Sequence, residues 1–134
     1  MLDFLESHKN KFVYLPLIIY WLILLIATSL PGNELPNLHV SDKIEHFAAY
    51  FILALLFSLA LLLQSKYEWL KRRANFWAIV IITIYAALDE LHQLIIPGRS
   101  CDFRDWITDF MATCFGVLVM NMLLSRIKSK TVKK

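Results

Sequence analysis

Four runs without a charged residue limit what this 134-residue chain can become. Phe12 to Leu30 is nineteen residues, Phe47 to Leu63 seventeen, Ala74 to Leu88 fifteen and Phe110 to Ser125 sixteen. A helix needs ~20 mostly apolar residues to cross the hydrocarbon layer of a bilayer. The first two runs approach that length as they stand. The third reaches it if its helix continues to Ile96, and the fourth if its helix starts near Phe103. In hydrocarbon every backbone amide must find its partner within the chain, so each run is expected to be helical. The expected fold is an all-α membrane bundle of four transmembrane helices, with spans of about 12–30, 44–63, 74–96 and 103–125. Nothing between the spans is long enough for a separate soluble domain, so residues 1–134 are expected to form a single transmembrane domain.

Composition agrees: 58% of residues are apolar and 19% charged, against roughly 45–50% and 25% in soluble proteins. Lys9 and Lys11 before the first run, and Ala27-Thr28-Ser29 near its end, have the outline of a signal peptide. The run exceeds the ~7–15 residues of such a peptide's apolar core, so a retained anchor is expected. Cys101 and Cys114 lack any partner spacing, which argues against a disulfide scaffold or a cysteine zinc site.

Basic residues in short loops mark the cytoplasmic side. The N-terminus, the loop "QSKYEWLKRRAN" and the tail carry eleven of them, against three (Lys43, Arg99 and Arg104) on the opposite side. Both termini are therefore expected to be cytoplasmic. Eight of the eleven acids (Glu34, Asp42, Glu45, Asp89, Glu90, Asp102, Asp105 and Asp109) fall on the outer side with His39, His46 and His92. The basic residues set topology and meet anionic lipid headgroups. No nucleic-acid partner is expected.

The outer acids sit at helical spacing. Asp42, His46 and Tyr50 recur every fourth residue and share one face, with Lys43 beside them. Asp42 and Glu45 also read as an N-cap and N3 pair. Asp89 and Gln93 share a face of the third helix with Glu90 adjacent, about 10 Å inside its end if the helix runs to Ile96. After Pro97-Gly98 come Arg99, then Asp102 and Asp105 as a second capping pair, then Asp109 one turn deeper. A carboxylate exposed to lipid costs ~2–3 kcal/mol even on lenient scales, so these faces are expected to turn toward one another. That places Asp89, Glu90, Asp105 and Asp109 around Lys43, His46, Tyr50, Gln93 and Arg99 in a polar cavity open to the outside. Ala112 and Gly116 form a small-residue stripe on which another helix can approach closely, and they offer a route to a homo-oligomer. Trp69, Trp77 and Trp106 near the span ends fit interfacial anchoring.

"SLP" and a following "LP", "DKIEHFAAY", "LDELHQLIIPGRSCDFRDWITDF" and Gly116 together resemble the VanZ-like family of small bacterial membrane proteins, over Ser29 to Gly116. The resemblance carries over Asp42, Lys43, His46, Tyr50, Asp89, Glu90, Gln93, Pro97, Arg99 and Asp105. This chain departs at Asp109, where members usually have Asn, and at Ala112, where they usually have Gly. The family takes its name from a protein giving low-level teicoplanin resistance. It implies cell-envelope biology and an amphiphilic ligand, such as a glycopeptide or a lipid-linked precursor, and supplies no reaction.

Three functions compete. The first is an outward-facing polar, acidic site binding an amphiphilic envelope molecule, with Arg99 and Lys43 meeting anionic groups and the acids meeting amines or hydroxyls. The second is a membrane-embedded hydrolase or transferase acting on an envelope lipid or glycan, with Asp89 and Glu90 as acid and base and His46 relaying protons. The third is an oligomeric ion-coupled transporter. A divalent metal on Asp89, Glu90, His46 and Asp109 is chemically conceivable, but the spacing is unspecific and no metal is expected. No HExxH, GxSxG or phosphate-binding loop occurs.

Overall fold

The computed structural model describes residues 2–32 and 41–132. Glu34 and His39, expected on the acidic side, lie outside the described residues. Four helical segments are long and apolar enough to cross a membrane: Asn10–Ser29, Asp42–Leu63, Ala74–Gln93 and Phe103–Ile127. A short helix α1 (Leu2–Ser7) and a wide π turn (Asn10–Tyr14) lead into α2 (Leu15–Ser29). Pro16 accounts for the wide turn. It has no amide hydrogen to give the preceding turn, and the Leu15 amide instead reaches back five residues to Asn10.

α2 is the peripheral helix, with Ile18, Ile19, Leu22, Ile23, Leu25 and Ile26 all exposed. In water that stripe would be a liability, whereas in a bilayer it is the lipid face. α3 (Asp42–Leu63), α5 (Ala74–Gln93) and α6 (Phe103–Val132) form the packed centre, with the short α4 (Glu68–Arg72) in the basic loop. The core contains Leu53, Ala54, Ile82, Ala86 and Ala112, all fully buried. Gly116 of α6 lies directly against the Ala54 methyl and the Phe51 carbonyl of α3. The Ala112–Gly116 stripe is thus consumed inside the chain. The close approach it permits is to α3.

Two helix ends differ from expectation. α3 begins with Ser41 as N-cap and no side-chain capping bond, so Asp42 and Glu45 are first-turn acids favoured by the helix dipole and do not form a capping pair. α5 stops at Gln93, three residues before Ile96. The residue before a proline is driven out of helical conformation, and Leu94, Ile95 and Ile96 make only three-residue-back bonds to Leu91, His92 and Gln93.

A turn from Ile96 to Arg99 follows, closed by the Arg99 amide on the Ile96 carbonyl at 3.2 Å. Gly98 takes the left-handed φ of 74° that this turn needs at its third position. The loop leaving α2 docks on that turn, with the Gly32 amide 3.1 Å from the Pro97 carbonyl. A Cβ at residue 32 would collide with the Gly98 carbonyl oxygen. Gly32→Ala is therefore expected to cost ~1–3 kcal/mol through backbone displacement. Thermal unfolding in mild detergent measures it, and an unchanged midpoint would mean the two loops do not depend on each other.

Candidate functional site

The helix faces expected to converge do so, as a ladder of contacts between α3, α5 and α6. Lys43 Nζ lies 3.0 Å from Asp105 Oδ1 and 3.9 Å from Asp102 Oδ2. One turn deeper, His46 Nδ1 lies 3.1 Å from Asp109 Oδ1, while its Nε2 lies 4.0 Å from Asp42 Oδ1. One turn deeper again, the Tyr50 hydroxyl donates to Asp89 Oδ2 at 3.2 Å. Lys43, His46 and Tyr50, three and then four residues apart on one face of α3, space these rungs. Asp89, Glu90, Asp105 and Asp109 are each at most 5% exposed. Carboxylates so buried require partners, and the three rungs supply them for three of the four.

Glu90 is the fourth. Its Oε2 accepts the Asp102 backbone amide at 2.9 Å, and the Cys101 thiol lies against the same carboxylate. Asp102 also caps α6 as expected, accepting the Arg104 amide at 2.8 Å. Its partner in the expected capping box, Asp105, is instead taken by Lys43. Consecutive helix residues diverge by about 100°, and the two adjacent acids accordingly face different spaces. Asp89 lines a cleft against α2, and Glu90 lines a separate apolar recess with Ala87, Leu91, Cys101, Phe103 and Trp106. An acid–base pair of Asp89 and Glu90 acting on one bound group is not what this geometry assembles.

Arg99 is the main departure. It was expected among the acids, but its guanidinium donates to the Ala27 carbonyl at 3.0 Å and, more weakly, to the Leu30 carbonyl at 3.5 Å. Ala27 lies in the last turn of α2, where its carbonyl also accepts the Leu30 amide at 3.4 Å, and Leu30 is the C-cap; both carbonyls sit at the negative end of the helix dipole. Arg99 therefore ties α2 to the α5–α6 turn. Trp106 differs too. Its indole nitrogen donates to the Thr83 carbonyl at 3.2 Å, and its ring stacks between Phe103 and Phe110, so it is a bundle contact and no simple interfacial anchor.

Between α2, α3 and α5 lies a cleft of about 130 Å³. Leu24, Ala27 and Ala49 form its apolar wall, and Asp42, Glu45, His46, Tyr50, Asp89, Gln93 and Arg99 its polar one. Gln93 is 3% exposed and its amide nitrogen has no partner. The cleft adjoins a more polar mouth that shares Asp42, Gln93 and Arg99 and adds Gly32, Gly98, Ser100 and Asp105. Sequence reasoning missed the contribution of α2: nothing in Leu24, Ala27 or Thr28 announces a binding wall, because those residues act through carbonyls and apolar surface.

A family model described as VanZ/LLP1 matches residues 9–124. The chain belongs to the VanZ/LLP1 family. No curated protein matches it, and no solved structure does. With four helices able to cross a membrane, this VanZ/LLP1 member is a multi-pass membrane protein. The matched segment spans the whole ladder from Lys43 to Asp109, together with the α2 residues that wall the cleft.

Proposed function

We propose that this VanZ/LLP1 protein holds the polar head of an amphiphilic cell-envelope molecule in the cleft between α2, α3 and α5. The site faces the outside of a bacterial inner membrane, with both termini in the cytoplasm. The charge asymmetry supports that orientation: the acidic end of the bundle carries three of the fourteen basic residues. The observation that carries the reading is the buried, partnerless Gln93 amide beside Asp89, in a cleft whose opposite wall is aliphatic. A few convergent polar groups against an apolar wall is the usual composition of a ligand site. It suits a molecule whose head is polar and whose tail remains in lipid.

The charges narrow the head group. Lys43 is engaged by Asp105 and Arg99 by carbonyls, which leaves Asp42, Glu45, Asp89 and Gln93 to meet a ligand. That set suits amines and sugar hydroxyls better than phosphate. Glycopeptides and lipid-linked precursors both fit, and teicoplanin is the probe.

Titrating fluorescent teicoplanin into protein held in lipid nanodiscs is expected to give saturable binding. Asp89→Asn and Gln93→Leu should each weaken it about tenfold or more, since a hydrogen bond to a charged group contributes ~1.5–3 kcal/mol. Signal that does not saturate, or that both variants leave unchanged, would overturn the assignment.

A further inference from the structure

We propose that His46, Glu90 and Asp109 form a binding site for a divalent first-row transition ion of the zinc class. One ligand atom from each lies within 4.8 Å of the other two. The three come from α3, α5 and α6, so the site exists only in the assembled bundle. Zinc bonds of ~2.0–2.2 Å place neighbouring ligand atoms about 3.0–3.5 Å apart. The three side chains need to close by little more than an ångström, which is within the reach of small rotamer adjustments.

Charge makes the stronger argument. Among the described residues, Lys43 and His46 are the cationic side chains within ion-pair distance of the four buried carboxylates. Glu90 accepts the neutral Asp102 amide, and the cationic side chain nearest to it, His46, is already paired with Asp109. Two buried carboxylates sharing one imidazole are expensive, and a divalent ion between Glu90 and Asp109 offsets that cost. An imidazole with two carboxylates is a donor set for zinc, manganese or iron, whereas magnesium prefers oxygen alone.

Three protein ligands leave at least one open position on the ion. Gln93, one turn beyond Glu90 on α5 and nine-tenths buried, has an amide nitrogen without a partner and borders with His46 the cleft against α2.

The other possible grouping, Asp42, His46 and Asp105, is weaker because Lys43 already occupies Asp105. The four-residue set conceivable from sequence also changes. Asp89 is committed to Tyr50 and faces the α2 cleft, so it is not a ligand.

The test uses untagged full-length protein in detergent, purified without chelator, loaded with Zn²⁺, desalted and assayed for metal by mass spectrometry. About one zinc per chain is expected, retained against a hundredfold excess of Mg²⁺. Glu90→Gln and Asp109→Asn should each weaken binding at least ~10–100-fold, the range already seen when only an outer-shell partner is lost. Cys101→Ser, which removes the nearest rival ligand, should retain the zinc. A zinc-induced rise in the parent's unfolding temperature provides a readout should a variant fail to fold. Substoichiometric zinc in the parent, displacement by Mg²⁺, or loss of zinc in Cys101→Ser with retention in Glu90→Gln would each overturn the proposal. No glycopeptide or lipid-linked precursor is added in any of these assays, so their outcome is independent of the glycopeptide titration.

Discussion

Asp109→Leu is expected to lower the unfolding midpoint in detergent by roughly 10 °C or more, and adding His46→Leu to recover most of that loss. Asp109 is 1% exposed and its carboxylate faces the His46 ring, with Nδ1 at 3.1 and 3.4 Å from its two oxygens. Removing one member of a buried polar pair leaves the other without its partner, at a cost of about 3–5 kcal/mol. For a chain of this size each kcal/mol shifts the midpoint by roughly 3–5 °C. Replacing both members with apolar side chains of similar volume removes the stranded group, and such exchanges are often neutral or stabilising. Recovery in the double variant would mean that the bundle does not need this rung for its stability, and that the rung is kept for what it binds. A double variant as unstable as the sum of the two singles would mean the opposite: the rung is a structural clasp, and the polar ladder holds the helices together.

The helices and the ladder follow from sequence because the same physics governs both. Uncharged runs in a bilayer leave the backbone no alternative to helix, and a lipid environment gives acids at four-residue spacing no alternative to facing inward. Lys43, His46 and Tyr50 therefore meet Asp105, Asp109 and Asp89, as residues on three inward faces should. The errors have a common origin. Side-chain charge alone assigns Arg99 to the acids, but the carbonyls that end α2 are acceptors too, and they are invisible in a list of residue types. Asp89 and Glu90 read as a pair because they are adjacent, yet adjacency on a helix means divergence. Trp106 lies three residues after the start of α6, where membrane-interface statistics favour an anchor, but its indole finds the Thr83 carbonyl instead. The α2 wall of the cleft was not legible at all. Its position depends on the Gly32 and Arg99 contacts to the α5–α6 turn, which are long-range in sequence.

Those contacts also divide the molecule energetically. α3, α5 and α6 form the packed centre, and the first spanning segment joins it along its length through Val13, Leu17 and Trp21, whereas at the acidic end α2 is held by backbone and guanidinium hydrogen bonds. The cleft lies on that seam. Its α2 and α5 residues, Gln93 among them, can be altered without touching the α3–α6 interface, which is why the cleft and core variants should behave so differently.

Gly116 tests the core side of that division. A Cβ there would lie 2.7 Å from the Ala54 methyl and 2.9 Å from the Phe51 carbonyl oxygen. Both are closer than van der Waals contact allows, and the oxygen belongs to backbone that cannot swing aside. Gly116→Ala is expected to force α3 and α6 apart at a cost of ~1–3 kcal/mol. Gly116→Leu should exceed that range, since the larger side chain has no rotamer that avoids α3. Ala54→Gly in the Gly116→Ala background removes the first clash and leaves the second, so it should restore part of the stability and not all of it. Because the same two helices carry Lys43, His46, Asp105 and Asp109, separating them should also loosen the ladder. Zinc retention should therefore fall in Gly116→Leu together with the unfolding midpoint. A variant that kept its midpoint while losing the metal would show that the approach at Gly116 serves the site's geometry and contributes little to the stability of the bundle.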